Sequence, residues 1–153
     1  MRALIQRVAH AEVAVGGERI AAIGRGILAL VGVQAGDDAA QAERLLERVL
    51  AYRIFPDGAG RMNLSVSDIG GGLLLVPQFT LAADTRSGSR PGFSTAAAPE
   101  RARELFEGLA QLAAARHATL GRPLGLGRFG ADMQVSLTND GPVTFLLETR
   151  APE

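Results

Sequence analysis

Apolar residues along the chain recur with the period of β-strands in several separate stretches. Residues 4–8 and 12–15 alternate apolar and polar side chains, as strands with one buried face do, and a Gly-Gly turn separates them from a similar run at 19–21. Residues 27–33 are continuously apolar, which is typical of a strand buried on both faces, and 73–76 form another apolar run. The pattern predicts a sheet with residues 27–33 near its centre.

Two other stretches have the apolar spacing of helices that bury one side. In the first, Asp37 or Asp38 can act as the N-cap, and the helix ends before a turn signal at residues 56–58. The second begins with Pro99, which is tolerated in a first helical turn, and continues to about His117. The apolar stripes consist of Leu45, Leu46, Val49, Leu50 and Ile54 in the first helix and of Leu105, Phe106, Leu109, Leu112 and Ala113 in the second.

This order of elements predicts an α+β fold. We expect a mostly antiparallel sheet or barrel with two helices packed on one side, and a single domain over residues 1–153 because no repeat or linker interrupts the chain. The strand at 73–76 is expected to continue to residue 81, although Pro77 argues for a strand end, an edge or a bulge at this point. The following segment, residues 82–98, lacks periodicity and is longer than most connections, so it is either disordered or functional.

The last part of the chain has the pattern of a β-hairpin. Residues 139–141, Asn-Asp-Gly, lie between strand-like runs at 133–137 and 143–147, which is an ordinary turn signal. Pro142 follows directly and lacks a backbone donor, while Gly141 can adopt positive φ and leaves its backbone open to a ligand. From the pattern alone, the Gly-Pro pair only reverses the chain.

Composition excludes several kinds of chemistry. The 153 residues include no cysteine, and His10 and His117 lack metal-ligand spacing, so we expect no metal and no cofactor. The formal net charge is zero, so any contact with RNA must be local. No apolar run reaches the roughly 20 residues of a membrane span, and the start lacks a signal-peptide core. We therefore predict a cytoplasmic protein without a membrane partner.

A conventional catalytic triad has little support, because Gly-x-Ser-x-Gly is absent. We expect His10 to be a surface strand residue and His117 to cap the second helix and interact with its dipole. The remaining candidates are the backbone N–H groups of Gln78, Phe79 and Thr80, at the end of an apolar strand, since free N–H groups can stabilise an oxyanion during acyl transfer. The alternative is structural, with Phe79 in the core and Thr80 a satisfied strand hydroxyl.

Two separated motifs resemble those of the D-aminoacyl-tRNA deacylase family. They are Gln-Phe-Thr-Leu at residues 78–81, followed by Ala-Ala-Asp, and Asn-Asp-Gly-Pro-Val-Thr at 139–144. Shorter segments at 6–8, 52–55, 62–64 and 127–135 agree as well. The resemblance covers residues 1 to about 149, essentially the whole chain.

The resemblance implies a homodimeric hydrolase that cleaves the ester between a D-amino acid, or misattached glycine, and the 3′ end of tRNA. It also implies a cis peptide bond between Gly141 and Pro142 that enters the active site of the other subunit. There, backbone carbonyls would clash with an L side chain, so selectivity would come from exclusion. Arg7 is the candidate for bracing this segment from the first strand.

One position departs from the family pattern, because Pro77 stands where the first motif usually begins with Ser. Proline offers neither a hydroxyl nor a backbone N–H. The resemblance then implies that the chemistry depends on the N–H groups of Gln78, Phe79 or Thr80 and on the 2′-hydroxyl of the tRNA. Gln78 is expected to shape the pocket, and the Thr80 hydroxyl to position water or the terminal ribose.

Two other functions remain open from the sequence. One is a relative with relaxed chirality that removes L-amino acids from wrongly charged tRNA, and the other is a non-catalytic RNA- or DNA-binding dimer. The neutral charge and the intact motifs weigh against the second. Arg86, Arg90 and Arg128 lie in loops where they could contact tRNA phosphates, although solvated surface arginine is the simpler interpretation.

Overall fold

Within residues 1–150, six strands form one sheet, and a short two-stranded ribbon lies apart from it. The computed structural model describes residues 1–150. Its strands are β1 (Arg2–Val15), β2 (Glu18–Ile23), β3 (Gly26–Gly32), β4 (Phe55–Pro56), β5 (Met62–Leu64), β6 (Gly72–Pro77), β7 (Leu124–Leu126) and β8 (Met133–Glu148), and its helices are α1 (Ala39–Ala51) and α2 (Pro99–Arg116). Single 3-10 turns occupy Phe79–Ala82 and Ala118–Leu120.

The long strand β1 organises the sheet. It pairs antiparallel with β2, β3 and β8, because its first half lies between β3 and β8 and its second half between β2 and β8. On the other side of β3, β6 and then β7 are added in parallel. The predicted α+β fold, with a mostly antiparallel sheet and two helices on one side, is confirmed.

Both faces of the central strands are buried, as their continuous apolar sequence predicts. In β3, Ile27, Ala29 and Val31 belong to the core under the helices, whereas Leu28 belongs to a second cluster on the opposite face. The first core also contains side chains from both helices, among them Leu45, Leu46, Val49, Leu105, Phe106 and Leu109. Because successive side chains of a strand point to opposite faces, β3 contributes to both apolar clusters, one on each face of the sheet.

Each helix begins where the sequence predicts. Asp38 caps α1 by accepting from the Ala40 and Gln41 N–H groups, and the Gln41 side chain accepts from the Asp38 N–H in return. The helix ends at Ala51, so Ile54 is buried but lies beyond it. Among residues 1–150, neither helix is long and apolar enough to cross a membrane.

His117 caps α2 as expected, but the predicted charge–dipole interaction is not favoured. The residue is fully buried, and its Nε2 lies 2.9 Å from the Gly71 carbonyl oxygen. Burial lowers the pKa of the imidazole, which favours the neutral ring. His10, by contrast, is an exposed residue of β1, as predicted.

The predicted extension of the strand at 73–76 to residue 81 is wrong. The strand β6 ends at Pro77, and the backbone turns into the 3-10 segment Phe79–Ala82. The reason lies in the hydrogen bonds of Gln78, whose N–H still donates to the Val31 carbonyl at 2.8 Å while its own carbonyl accepts from the Leu81 N–H at 3.2 Å. The second bond closes a helical turn in place of a ladder.

The predicted hairpin at residues 139–141 is also wrong. Strand β8 runs past this point without reversing, and both of its halves pair with β1. Asn139 is opposite Val8 and Thr144 is opposite Gln6, so residues 140–143 bulge out opposite Arg7. The turn signal thus produces a bulge within β8 and not a hairpin, because β1 is long enough to pair with both halves of β8.

The segment 82–98 is folded rather than disordered. Asp84 and Gly92 exchange backbone hydrogen bonds of 2.7 and 2.9 Å, which close a loop at residues 85–91. The Thr95 hydroxyl donates to the Ala82 carbonyl at 2.6 Å, and the Ala97 N–H donates to the Val33 carbonyl at 3.1 Å. The Thr95 bond joins the two ends of the segment to each other, and the Ala97 bond ties the segment to the residue that follows β3.

Candidate active site

A cleft of about 420 Å³ opens where β6 ends. Residues 76–80 line it together with Pro99 at the start of α2, residues 129–131, and Met133 and Val135 of β8. None of these lining residues carries a side chain that titrates. Chemistry in this cleft must therefore use backbone groups, hydroxyls or the substrate itself.

The main chain at this wall presents two available donors. The Gln78 N–H is engaged by the Val31 carbonyl, and the Leu81 N–H by the Gln78 carbonyl. For the N–H groups of Phe79 and Thr80, residues 1–150 provide no acceptor, as is normal for the first residues of a helical turn. Of the three predicted backbone donors, Phe79 and Thr80 are thus the two without an acceptor in the described residues.

The side chains of the same turn also face solvent. Gln78 Nε2 donates to Thr80 Oγ1 at 2.6 Å, which orients the hydroxyl. Phe79 is 42% exposed and stacks on Phe93, with ring centroids 5.1 Å apart. The alternative in which Phe79 is a core residue and Thr80 a strand residue is therefore wrong.

Arg7 holds the start of the bulge in β8. Its Nε donates to the Asp140 carbonyl at 2.9 Å, and its Nη1 donates to the Ile54 carbonyl at 2.7 Å. The guanidinium thus ties the bulge to the segment that follows α1. This contact matches the geometry expected of a bracing residue.

The bulge itself requires glycine at its centre. Gly141 has a φ of 140°, and a Cβ there would lie 2.6 Å from Cγ2 of Val143. Its peptide bond with Pro142 is cis. Asn139 closes the bulge, since its Oδ1 accepts from the Val143 N–H at 3.0 Å and its Nδ2 donates to Thr144 Oγ1 at 2.9 Å.

Within one chain, the predicted site residues form two separate groups. Gln78, Phe79 and Thr80 line the cleft, whereas Gly141 and Pro142 do not. Both of the latter are exposed in the bulge.

Comparison with known proteins identifies the family. Residues 4–148 match the family described as D-Tyr-tRNA(Tyr) deacylase. The chain belongs to this family. It is 62% identical to a D-aminoacyl-tRNA deacylase of Thioalkalivibrio sulfidiphilus, over 99% of each chain, and 63% identical to one of Alkalilimnicola ehrlichii, over 98% of this chain and 97% of the relative. As a member of this deacylase family, the protein is a hydrolase that acts on ester bonds.

Two solved structures share the deacylase fold. The structure of a protein named c-Myc DNA Unwinding Element Binding Protein superimposes with a TM-score of 0.92 at 38% identity, covering 99% of this chain and 100% of the other. The structure of a probable eukaryotic D-amino acid tRNA deacylase gives a TM-score of 0.80 at 15% identity, covering 95% and 97%. The second likeness concerns the fold alone.

In this deacylase family member, one contact at the site had no signal in the sequence. Arg2 donates from Nη1 to the Leu81 carbonyl at 3.0 Å, although the two residues are 79 positions apart. No local pattern marks such a contact. Asn139 lies within a recognised motif, but only its two hydrogen bonds across the bulge reveal what its side chain does.

The loop arginines differ in their surroundings. Arg86 forms a bidentate pair with Asp84, at 2.8 and 2.9 Å, and this hydrogen bonding lowers the pKa of the Asp84 carboxyl to about 2. Arg90 and Arg128 are exposed, and neither pairs with a carboxylate within residues 1–150. Of the three, Arg90 and Arg128 are thus the more available to an anionic partner.

Proposed function

We propose that this protein hydrolyses the ester that joins a D-amino acid to the 3′ end of tRNA, in the cytoplasm, and spares the L form. The observation that carries the proposal is the pair of unengaged N–H groups of Phe79 and Thr80, beside a cleft whose lining does not titrate. The names of the relatives, D-aminoacyl-tRNA deacylase, support the choice of substrate.

The reaction needs an electrophile and an activated water. The Phe79 and Thr80 N–H groups polarise the ester carbonyl and stabilise the negative charge that develops on its oxygen. Because no residue that lines the cleft can act as a general base, the 2′-hydroxyl of the terminal ribose assists the water. Water adds to the carbonyl carbon, the ester bond breaks, and the tRNA 3′-oxygen leaves with a proton. Pro77 does not impede this route, which uses no group at position 77.

Gly141 and Pro142 provide the chirality filter in this proposal. They do not line the cleft of their own chain, and the proposal is that they act from a second copy of the protein. The outer edge of β8 supports such a homodimer, since among residues 1–150 its only partner in the sheet is β1 and it exposes Phe145 and Leu146 by 37% and 49%. Arg7 keeps the bulge in place, and glycine, which has no side chain to exclude, is accepted as a substrate.

A deacylation assay with matched D- and L-aminoacyl-tRNA and with glycyl-tRNA tests the proposal. We expect release of the D-amino acid and of glycine but not of the L-amino acid. Faster release from the L form would indicate the relaxed-chirality enzyme.

Membership of the deacylase family argues against the alternative without catalysis. The name of the 38% identical relative, c-Myc DNA Unwinding Element Binding Protein, favours binding of DNA as a second candidate activity beside hydrolysis. Binding of DNA by a sample that also releases the D-amino acid would support this second activity, and absence of DNA binding would exclude it. Sedimentation or light scattering on the same sample measures whether the dimer exists.

A further inference from the structure

An aromatic pair beside the cleft is not used by the proposed chemistry. The rings of Phe79 and Phe93 stack with their planes 22° apart. The two residues are nevertheless 42% and 44% exposed, so a large part of the pair meets solvent. Exposed stacked rings of this kind are the surface on which single-stranded nucleic acids place their bases.

The pair is held in position by both of its segments. Phe79 belongs to the 3-10 turn that lines the cleft. Phe93 directly follows Gly92, whose two backbone bonds to Asp84 close the loop at residues 85–91, and the Thr95 hydroxyl donates to the Ala82 carbonyl at the end of the 3-10 turn. The aromatic surface is therefore continuous with the cleft and fixed by hydrogen bonds on each side.

The loop next to the pair carries positive charge. Arg86 and Arg90 lie in residues 85–91 and are exposed. The charge of Arg86 is balanced by Asp84, at 2.8 Å, whereas Arg90 has no carboxylate partner among residues 1–150. An exposed guanidinium without a carboxylate partner, three residues before Phe93 in the chain, together with two exposed rings is complementary to a base and its phosphate.

We propose that the Phe79–Phe93 pair stacks a base of the single-stranded 3′ end of the tRNA, one that precedes the esterified nucleotide, while Arg90 contacts a phosphate. The inference rests on the proposed function for the identity of the RNA. Stacking on a ring is tolerant of base identity, which suits an enzyme that must accept many tRNAs. RNA is favoured over a second copy of the chain as the occupant because the patch is flanked by arginine.

The binding test uses a tryptophan probe, since the chain contains no tryptophan. Phe93→Trp places a single indole in the pair, and a short single-stranded RNA with a free, non-esterified 3′ end is the titrant. We expect saturable quenching of the fluorescence, which the same RNA annealed to its complement does not produce. Leu120→Trp is the matched control, because Leu120 is exposed and lies beyond the opposite end of α2 from the cleft.

The kinetic test compares two esters, D-aminoacyl-tRNA and D-aminoacyl-adenosine, which lacks the preceding bases. We expect Phe93→Ala to lower kcat/KM on the tRNA ester by about 5- to 150-fold. The loss on the adenosine ester should be smaller, and Phe93→Trp should retain the wild-type preference for tRNA.

Absence of quenching, or equal losses on both esters, would overturn the stacking surface. An indole that is shielded from acrylamide only at high protein concentration would overturn it too, since a second copy would then cover the rings. The RNA titration needs no hydrolysis. If the wild-type protein releases no amino acid, the proposed function is wrong, but the RNA titration still shows whether the aromatic pair binds single-stranded RNA.

Discussion

The guanidinium of Arg2 donates to the carbonyl oxygen of Leu81 over 3.0 Å, which joins the start of β1 to the 3-10 turn at the cleft. Arg2 Nε also lies 3.2 Å from Oε1 of Glu148, at the end of β8. The turn that presents the Phe79 and Thr80 N–H groups is thus tied to two strands of the sheet. Since Arg2 does not line the cleft, it acts on the turn from outside.

Replacement of Arg2 by alanine should reduce kcat more than it changes KM. The turn loses a charged hydrogen bond and shifts, and small displacements of catalytic groups cost roughly 10- to 100-fold in rate. Arg2→Lys should recover part of the loss, because an ammonium can still donate to the Leu81 carbonyl. Steady-state kinetics on D-aminoacyl-tRNA, with urea unfolding of each variant, provides the measurement. An unchanged kcat in folded Arg2→Ala would show that the turn does not need this contact.

Displacing the turn should cost more activity than removing the Thr80 hydroxyl. A Cβ at Gly32 would lie 3.0 Å from Leu81 Cβ and 3.2 Å from the Gln78 carbonyl oxygen, so Gly32→Ala pushes on the turn without contacting substrate. Thr80→Ala leaves the backbone donors in place, and we expect it to reduce the rate by less than about tenfold. Single-turnover deacylation rates compare the two variants.

The control for this comparison is Gly24→Ala, because nothing lies within 4 Å of a Cβ at Gly24. It should retain the wild-type rate. If Thr80→Ala abolished activity while Gly32→Ala did not, the hydroxyl and not the backbone would perform the chemistry.

The sequence predicted the sheet and the helices because their signals are local and periodic. The alternation in β1 and the continuous apolar run of β3 follow directly from which faces are buried. Pro77 indicates a possible end of β6, but the turn that follows is not predicted, because residues 78–81 are compatible with a strand and only the bonds of Gln78 select a turn. The local sequence is compatible with both a strand and a turn, and tertiary hydrogen bonds select the turn.

The bulge in β8 is a second feature, at the candidate site, that the local sequence does not predict. Asn-Asp-Gly has the composition of a hairpin turn, and nothing nearby in the sequence indicates that β1 is long enough to pair with both flanking runs. The motif residues could be found from the resemblance, whereas their contacts with Arg7 and Asn139 depend on the register between strands. The contact of Arg2 with the Leu81 carbonyl cannot be predicted from the sequence either, because it also depends on how distant segments pack together.

Gly141→Ala should destabilise the protein and relax its selectivity. The φ of 140° and the 2.6 Å approach to Val143 leave no room for a methyl group, so the bulge must change shape. We expect a loss of about 1–3 kcal/mol in the free energy of unfolding. We also expect a higher rate on L-aminoacyl-tRNA relative to the D form. Gly58→Ala is the control, since Gly58 has an ordinary φ and no atom lies within 4 Å of a Cβ added there. A wild-type ratio of D to L rates in Gly141→Ala would contradict the proposed chirality filter.

The burial of His117 should make the stability of the protein depend on pH. Burial lowers the pKa of the ring from its ordinary value of 6.5, and the Gly71 carbonyl opposes this shift without cancelling it. Below 6.5 the unfolded chain therefore takes up a proton that the folded chain resists, so stability falls as the pH drops from 6.5 towards the lowered pKa. The slope cannot exceed about 1.4 kcal/mol per pH unit for one group.

Urea unfolding at about pH 7.5 and about pH 5.5 measures this dependence. We expect a lower midpoint at the acidic pH in the wild type and a smaller difference in His117→Gln, which keeps a donor for the Gly71 carbonyl but does not titrate. His10→Gln is the matched control for a histidine-to-glutamine substitution at an exposed site, because His10 is exposed in β1. Equal pH dependence in the wild type and in His117→Gln would mean that another group, and not the buried ring, is responsible.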